Sequence, residues 1–279
     1  MIEWAAPPAE SLRRQPLALL SLAWLCLAAT GALLAPLLAP YDPLAPIPNG
    51  GVLLPPRPAH PLGTDALGRD VLSRLLWGGR WTLGMGILAL TIALALGLPM
   101  GVVAGFFEGV VDQTLMRVVD ALLAFPALLL AMALVAIMGP GILPVAIAVG
   151  GAAAPAYARV ARRAVIEVRV EPYIEAATVA GGGAWHVLRR HVLPNAAGSL
   201  LAFGATQLGW VLLNGAALNF LGLGAAPGTP EWGAMISEGR AHLRNAPWVS
   251  TLPGLTLTLT VVATNLLGDG IQESLRPRS

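Results

Sequence analysis

Residues 175–195 read EAATVAGGGAWHVLRRHVLPN, a polar and basic interruption in a chain that is 56% hydrophobic and 11% charged. Around it, Arg159, Arg162, Arg163, Arg169, Arg189 and Arg190 alternate with Glu167, Glu171 and Glu175. At roughly 2.5–3.5 kcal/mol per charge at a bilayer centre, nine charges would cost on the order of 25 kcal/mol. The segment therefore sits in water. Its chemistry is that of a docking surface: an acidic Glu175, two small residues in Ala176 and Ala177, and a helix-ending run at Gly181–Gly183. Three consecutive glycines suggest a phosphate cradle, but all seventeen basic residues are arginine and there is no lysine. A Walker-type loop needs a lysine on the β/γ-phosphates, so this chain hydrolyses no ATP by that route.

The remaining polar residues that could do chemistry are sparse. His186 and His191 are five apart in the same loop and lack the glutamate of a His-Glu-x-x-His zinc site. His60 and His242 lie in other segments, near Asp65 and Glu231, with nothing in the sequence to fix their separation, so no metal site is assigned. In one apolar run Gln207 and Asn214 are seven apart and share a helix face, with Trp210 between them. In another, Thr256, Thr260 and Thr264 form a stripe beside Asn265. Polar groups in lipid must bond a neighbour or line a watery cavity, so these residues are interhelical bonds first and candidate pathway-lining groups second. Asp120 and Asp269 fall at helix ends, where hydration is easy, and are not read as a proton relay. No residue is assigned a catalytic role.

These residues are positioned by helices. Apolar runs cover about 17–39, 82–106, 119–138, 142–158, 198–222 and 249–268, each near the roughly 20 residues that span a bilayer. The expectation is an all-α membrane protein with six transmembrane helices. The fourth run, which contains Pro155, should continue to Arg169 with its arginines already in water. With both termini inside, eleven arginines fall on inner segments and six on outer ones, which favours an N-in, C-in orientation. The first run follows Arg13 and Arg14 and ends in Pro-Tyr-Asp-Pro, which reads as a retained anchor rather than a cleaved signal. The single cysteine, Cys26, rules out an internal disulfide framework.

The expected organisation is an inner tail over 1–16, a first span over 17–39, an outer segment over 40–81 and a five-span region over 82–279. The outer segment opens with eight prolines in 40–61 and should be extended there. From Asp70 to Trp77 it reads as an amphipathic helix lying on the membrane surface. Gly97, Gly101, Gly105 and Gly109 recur every four residues and would form a bare stripe for close helix packing. Residues 108–120 read as a short inner turn. Trp185–Val192 reads as a second loop helix, closed by Pro194 and Asn195.

With these residues in view, the stretch from Glu175-Ala176-Ala177 through Gly181 to His191 and Pro194-Asn195 resembles the Glu-Ala-Ala loop of ABC-importer membrane subunits, over all twenty-one positions. Further stretches agree: LGTDALGRDVLSRLLWGGR (62–80), VDQTLMRVVDALLAFP (111–126), FLGLG (220–224) with PEWGAMISEGR (230–240), and NLLGDGIQESLRP (265–277). Together they resemble the second permease of dipeptide/oligopeptide importers, a class that includes nickel permeases. Thr178 and the three glycines depart mildly from the pattern. The resemblance implies a MetI-like ABC permease core with a coupling loop over 171–195, placed in a bacterial inner membrane. It also implies a homologous second permease, two cytoplasmic ATP-binding subunits that alone hold ATP, and an extracytoplasmic binding protein facing 60–80 and 223–248. No nucleic acid is implied as a partner and no cofactor is expected on this chain. Under the resemblance Glu175 supplies an acidic contact, Ala176 and Ala177 a close fit, and Gly181 a sharp turn. A nickel or other small-solute permease is the alternative within the class, and a gradient-driven carrier the alternative outside it.

Overall fold

A computed structural model of the chain describes residues 15–47 and 51–274. Most of the expected inner tail, with Arg13 and Arg14, lies outside the described residues, as do 48–50 of the proline-rich stretch and Arg276 and Arg278. Among the described residues the structure is helical, with only two isolated β-bridges.

Helix α1 spans Pro16–Leu33 and is followed at once by the short α2, Ala35–Leu38. Pro36 ends regular hydrogen bonding there, because it has no N–H to donate. α1 is peripheral: Leu17, Leu20, Leu27 and Leu33 are more than half exposed, as a lipid-facing helix requires. Trp24 Nε1 nevertheless donates to Thr260 Oγ1 at 3.2 Å and ties α1 to the last helix.

Helix α3, Val71–Phe107, is a single 37-residue helix, about 55 Å long at 1.5 Å per residue. The expected surface helix at 70–77 is therefore the first turns of a span. Two features join them: Asp70 caps the helix by accepting from Ser73 N at 2.8 Å, and Gly78 admits Pro230 and Trp232 so closely that a Cβ would stand 2.5 Å from the Pro230 carbonyl oxygen. The next expected boundary also moves. Residues 109–123 form a helix, α4 (Gly109–Leu123), rather than a turn. α4 meets α5 (Ala127–Met138) at 87°. The third expected span is thus a bent pair, broken where Pro126 both lacks a donor and disfavours helix at Phe125.

Helix α6 runs through Pro155 from Ile142 to Arg169, so the expected continuation to Arg169 is observed. α9, Leu193–Phe220, and α11, Trp248–Ser274, complete the long helices, with the short α10, Trp232–Gly239, between them. Among the described residues, five helices are long and apolar enough to cross a membrane, or six spans if the bent pair counts as one.

The glycine stripe explains the core. A Cβ on Gly97 or Gly101 would collide with the backbone carbonyl of Ala154 or Ala158, and one on Gly105 would lie 2.6 Å from the Arg162 carbonyl oxygen. α3 and α6 therefore touch backbone to backbone over three turns, with Ala93, Ala104, Ala158 and Ala161 fully buried beside the stripe. Gly109 does not belong to it. Its φ of +65° sits at the α3–α4 corner next to Glu108, whose φ is +46°, and it faces open space. α9 closes the bundle: Tyr157 on α6 donates its hydroxyl to the Leu200 carbonyl at 2.7 Å.

Candidate functional site

At the arginine-rich end of the bundle, α6 gives way to a two-helix loop. Pro172 opens α7, Pro172–Val179, which is eight residues long. Gly182 N donates to the Ala177 carbonyl at 3.1 Å and Gly181 N to the Thr178 carbonyl at 3.0 Å. This pair of bonds is the Schellman arrangement, with Gly181 in the left-handed position at φ +90°. Gly182 serves differently: a Cβ there would lie 2.7 Å from the Ala177 carbonyl oxygen. Of the three glycines, one is required by backbone angle and one by proximity.

The return helix departs from expectation. α8, Ala184–Val187, passes through a π-turn at Leu188–Val192 straight into α9. Pro194 and Asn195 do not close it. The wider π-turn accommodates Pro194, which has no N–H to place in the ladder, and Asn195 Nδ2 donates to the His191 carbonyl at 2.6 Å. The loop's second helix and the fifth expected span are thus one rod.

One face of the loop is seated and the other is free. Ile174, Val187, Leu188 and Val192 are buried with Val102 of α3 and Val165 of α6. Glu175, Ala176, Gly181, Pro194 and Asn195 are exposed, and Ala177 and His191 are half-buried. Around Glu175 the free surface is apolar as well as acidic, with Val170, Val179 and Trp185 each more than 60% exposed. Arg189 lies over the Trp185 ring at 5.9 Å, and the His186 and His191 rings are 5.9 Å apart. Among the described residues no three His, Cys, Asp or Glu side chains are placed to hold a metal.

The five candidate pathway residues separate. Gln207 and Asn265 line one groove of about 360 Å3 between α9 and α11, with Thr206, Trp210 and Val261. Asn214 bonds back to the Trp210 carbonyl at 2.9 Å and Thr256 to the Leu252 carbonyl at 2.9 Å. Thr260 is fully buried as the acceptor for Trp24. Helix spacing alone pairs Gln207 with Asn214 on one helix and sets Thr256 and Thr260 beside Asn265 on another. The Thr260 interaction with α1 depends on a helix more than two hundred residues away in sequence.

The opposite end of the bundle holds a polar cluster that the sequence signals only as scattered charges. Arg69 Nε is 2.7 Å from Asp65 Oδ2, and Arg69 and Arg74 both reach Glu238 Oε2, at 3.0 and 2.8 Å. Both guanidiniums also donate to the Gly228 carbonyl. Arg74 is 1% exposed, the reverse of a side chain on a surface helix. His60 pairs with Asp70 at 3.2 Å and stacks near Tyr41 rather than meeting His242. Glu231 is fully buried; it accepts from Thr82 Oγ1 at 2.8 Å and from Ala234 N at 2.9 Å. Burial raises its carboxyl above the usual 4.5. The regions 51–74 and 223–248 therefore make one cap, joined also by Trp248 Nε1 donating to the Thr64 carbonyl at 3.2 Å.

Long apolar helices with an exposed loop at one end and a buried charge cluster at the other have the build of a membrane-spanning protein. Residues 97–279 match the family described as binding-protein-dependent transport system inner membrane component. Residues 9–56 match the N-terminal TM domain of oligopeptide transport permease C. The chain belongs to the binding-protein-dependent inner membrane component family and is a multi-pass permease of the ABC-importer type. It is 44% identical over 223 residues to the glutathione transport system permease protein GsiD of Pectobacterium atrosepticum, across 80% of this chain and 74% of that one. It is 42% identical to the di/tripeptide transport system permease protein DppC of Pseudomonas aeruginosa, across 88% and 83%. Among solved structures, the inward facing MetNI methionine ABC transporter superposes with a TM-score of 0.63 at 21% identity, over 73% of this chain and 97% of that one. That likeness is one of fold.

Proposed function

We propose that this chain is one of two homologous permease subunits of an ATP-driven importer of dipeptides and other short peptides. Its pathway would be shared with a second permease, and two cytoplasmic ATP-binding subunits would hold all of the ATP. A binding protein would deliver cargo to the cap formed by 51–74 and 223–248. Peptide cargo is favoured over nickel because the two similar permeases above carry glutathione and di/tripeptide names. Both termini and the Glu175 loop would lie in the cytoplasm.

One observation carries the reading. The exposed α7 is tied through Ile174 to a single apolar cluster drawn from α3, α6 and the α8–α9 rod. A push on α7 is therefore delivered to three long helices at once. Glu175 offers the charged contact on the free face, Ala176 and Ala177 admit a close partner surface, and Gly181 fixes the return angle. A partner that binds two positions of this loop with different affinity shifts the bundle between two arrangements, since only differential binding can drive such a change. Polar groups at Gln207 and Asn265 are candidates for cargo contact on the α9–α11 groove.

The test is uptake by the assembled complex. Glu175→Arg should leave insertion and assembly intact and reduce peptide uptake at least about tenfold, the loss of one well-placed ionic contact. Normal uptake by an assembled Glu175→Arg complex would refute the lever. Competition of uptake by dipeptides, glutathione and nickel decides the cargo.

A further inference from the structure

Where α1 ends, at the cap end of the bundle, a groove of about 570 Å3 is lined by Pro36, Tyr41, Asp42, Trp77, Trp81 and Pro230. Its walls are mostly apolar. Trp77 and Trp81 stand one turn apart at the head of α3, just before the apolar stretch of that span, and with Tyr41 they match the aromatic belt of a membrane–water boundary. Below the groove the surface continues without a break onto Leu33, Leu34, Leu37 and Leu38, each more than 40% exposed. Acyl chains entering the groove would thus already be lying on a lipid-facing wall.

Two charges stand at this surface: Asp42 lines the groove, and Arg80 stacks on Trp77, which also lines it. Arg80 is exposed and sits 5.1 Å from the Trp77 ring centroid. Among the described residues no carboxylate is within ion-pair distance of it, although six other arginines are paired (Arg69, Arg74, Arg159, Arg162, Arg163 and Arg169). Asp42 is exposed, with one carboxylate oxygen accepting from Leu44 N at 2.8 Å. An unpaired guanidinium held on an indole fits a phosphodiester. A carboxylate on the lining of the groove fits a primary ammonium. We propose that this groove is a binding site for an aminophospholipid, its phosphate at Arg80, its ammonium at Asp42 and its glycerol against Trp77 and Trp81. The two charges select against headgroups that lack the ammonium. The site depends on the membrane placement of the chain and not on its cargo.

The test uses the assembled complex in detergent, equilibrated with phosphatidylethanolamine or with phosphatidylglycerol and read by native mass spectrometry. Wild type should retain one more phosphatidylethanolamine per copy of this chain than the Arg80→Gln variant. Occupancy in the variant should fall about fivefold, the scale of one exposed cation–π-supported ionic contact. Asp42→Asn should abolish the preference for phosphatidylethanolamine over phosphatidylglycerol, and Trp81→Ala should lower retention of both. Equal retention by wild type and Arg80→Gln would overturn the proposal. So would a preference for phosphatidylglycerol in wild type, or displacement of the lipid by excess dipeptide, which would make the groove a cargo or protein site. All variants alter exposed side chains, and unchanged subunit stoichiometry in the same spectra verifies assembly.

Discussion

At the scale of single residues, Gly181 and Glu231 carry the most chemistry per atom. Gly181 holds φ +90°, and nothing lies within 4 Å of the point where a Cβ would stand, so a side chain there meets no neighbour. The whole penalty of Gly181→Ala is backbone strain, about 1–2 kcal/mol. The expected outcome is partial, not complete, loss of uptake, with Gly181→Val worse because branching at Cβ narrows the choice further. Measuring uptake for both variants against Gly183→Ala, which has free space and an ordinary φ, isolates the angle from the volume. Glu231 behaves differently, since its carboxyl is buried and is held above the ordinary value of 4.5 mainly by desolvation. The folded protein therefore binds this proton more tightly than the unfolded chain. Its contribution is fully present below about pH 4.5 and is lost as pH rises through the raised value. Glu231→Gln should flatten that part of the dependence of the thermal midpoint on pH. An unchanged slope would mean that the hydrogen bonds from Thr82 and the Gly233–Ala234 amides cancel the burial penalty in full.

At the scale of elements, the α3–α6 contact is the one that tolerates least. Gly101→Leu must displace the Ala158 backbone, and about 1–3 kcal/mol or more of overpacking is expected. Gly84, on the same helix, faces open space, and Gly84→Ala should be neutral or slightly stabilising. Thermal unfolding of the two variants in detergent separates a packing stripe from general glycine sensitivity. Much of this element is legible in the sequence: three of the four glycines at four-residue spacing give the stripe, Gly109 falling outside it, and the arginines after residue 158 give the end of α6. The bend between α4 and α5 is not, although Pro126 is in plain view. An apolar run of the right length looks like a straight span until a neighbour decides otherwise. Here Arg162 holds Asp112 and Arg159 holds Asp120, so α4 is fixed across α6 by charges that periodicity does not register.

At the scale of the whole molecule, two ends are built in opposite ways. The loop end presents exposed acid and apolar groups on a seated frame, as a surface for a partner does. The cap end buries its charges against each other and joins segments more than 150 residues apart. Glu238→Gln would leave Arg69 and Arg74 sharing Asp65 alone. Because Glu238 is about one-third exposed, the cost should be about 2 kcal/mol, below the range for a fully buried pair. Faster hydrogen exchange across 223–247, with no change at 171–195, is the expected readout. Orientation is tested separately in a Cys26→Ser background: a cysteine at Glu175 should label only from the cytoplasmic side and one at Arg57 only from the other.

The sequence by itself determined that the chain is helical, that it is built for a bilayer, that it holds no Walker lysine and that residues 175–195 are costly to place in hydrocarbon. Those properties follow from composition, period and the cost of charge in hydrocarbon, which are summed along the chain and need no neighbours. The tertiary structure alone decided that 71–107 is one helix, that Arg74 is a buried partner of Glu238, and that Thr260 serves Trp24 while Gln207 and Asn265 share a groove. Each of these depends on which distant side chain arrives at a given face. Pairing energies between residues far apart in sequence exist only once the helices have packed.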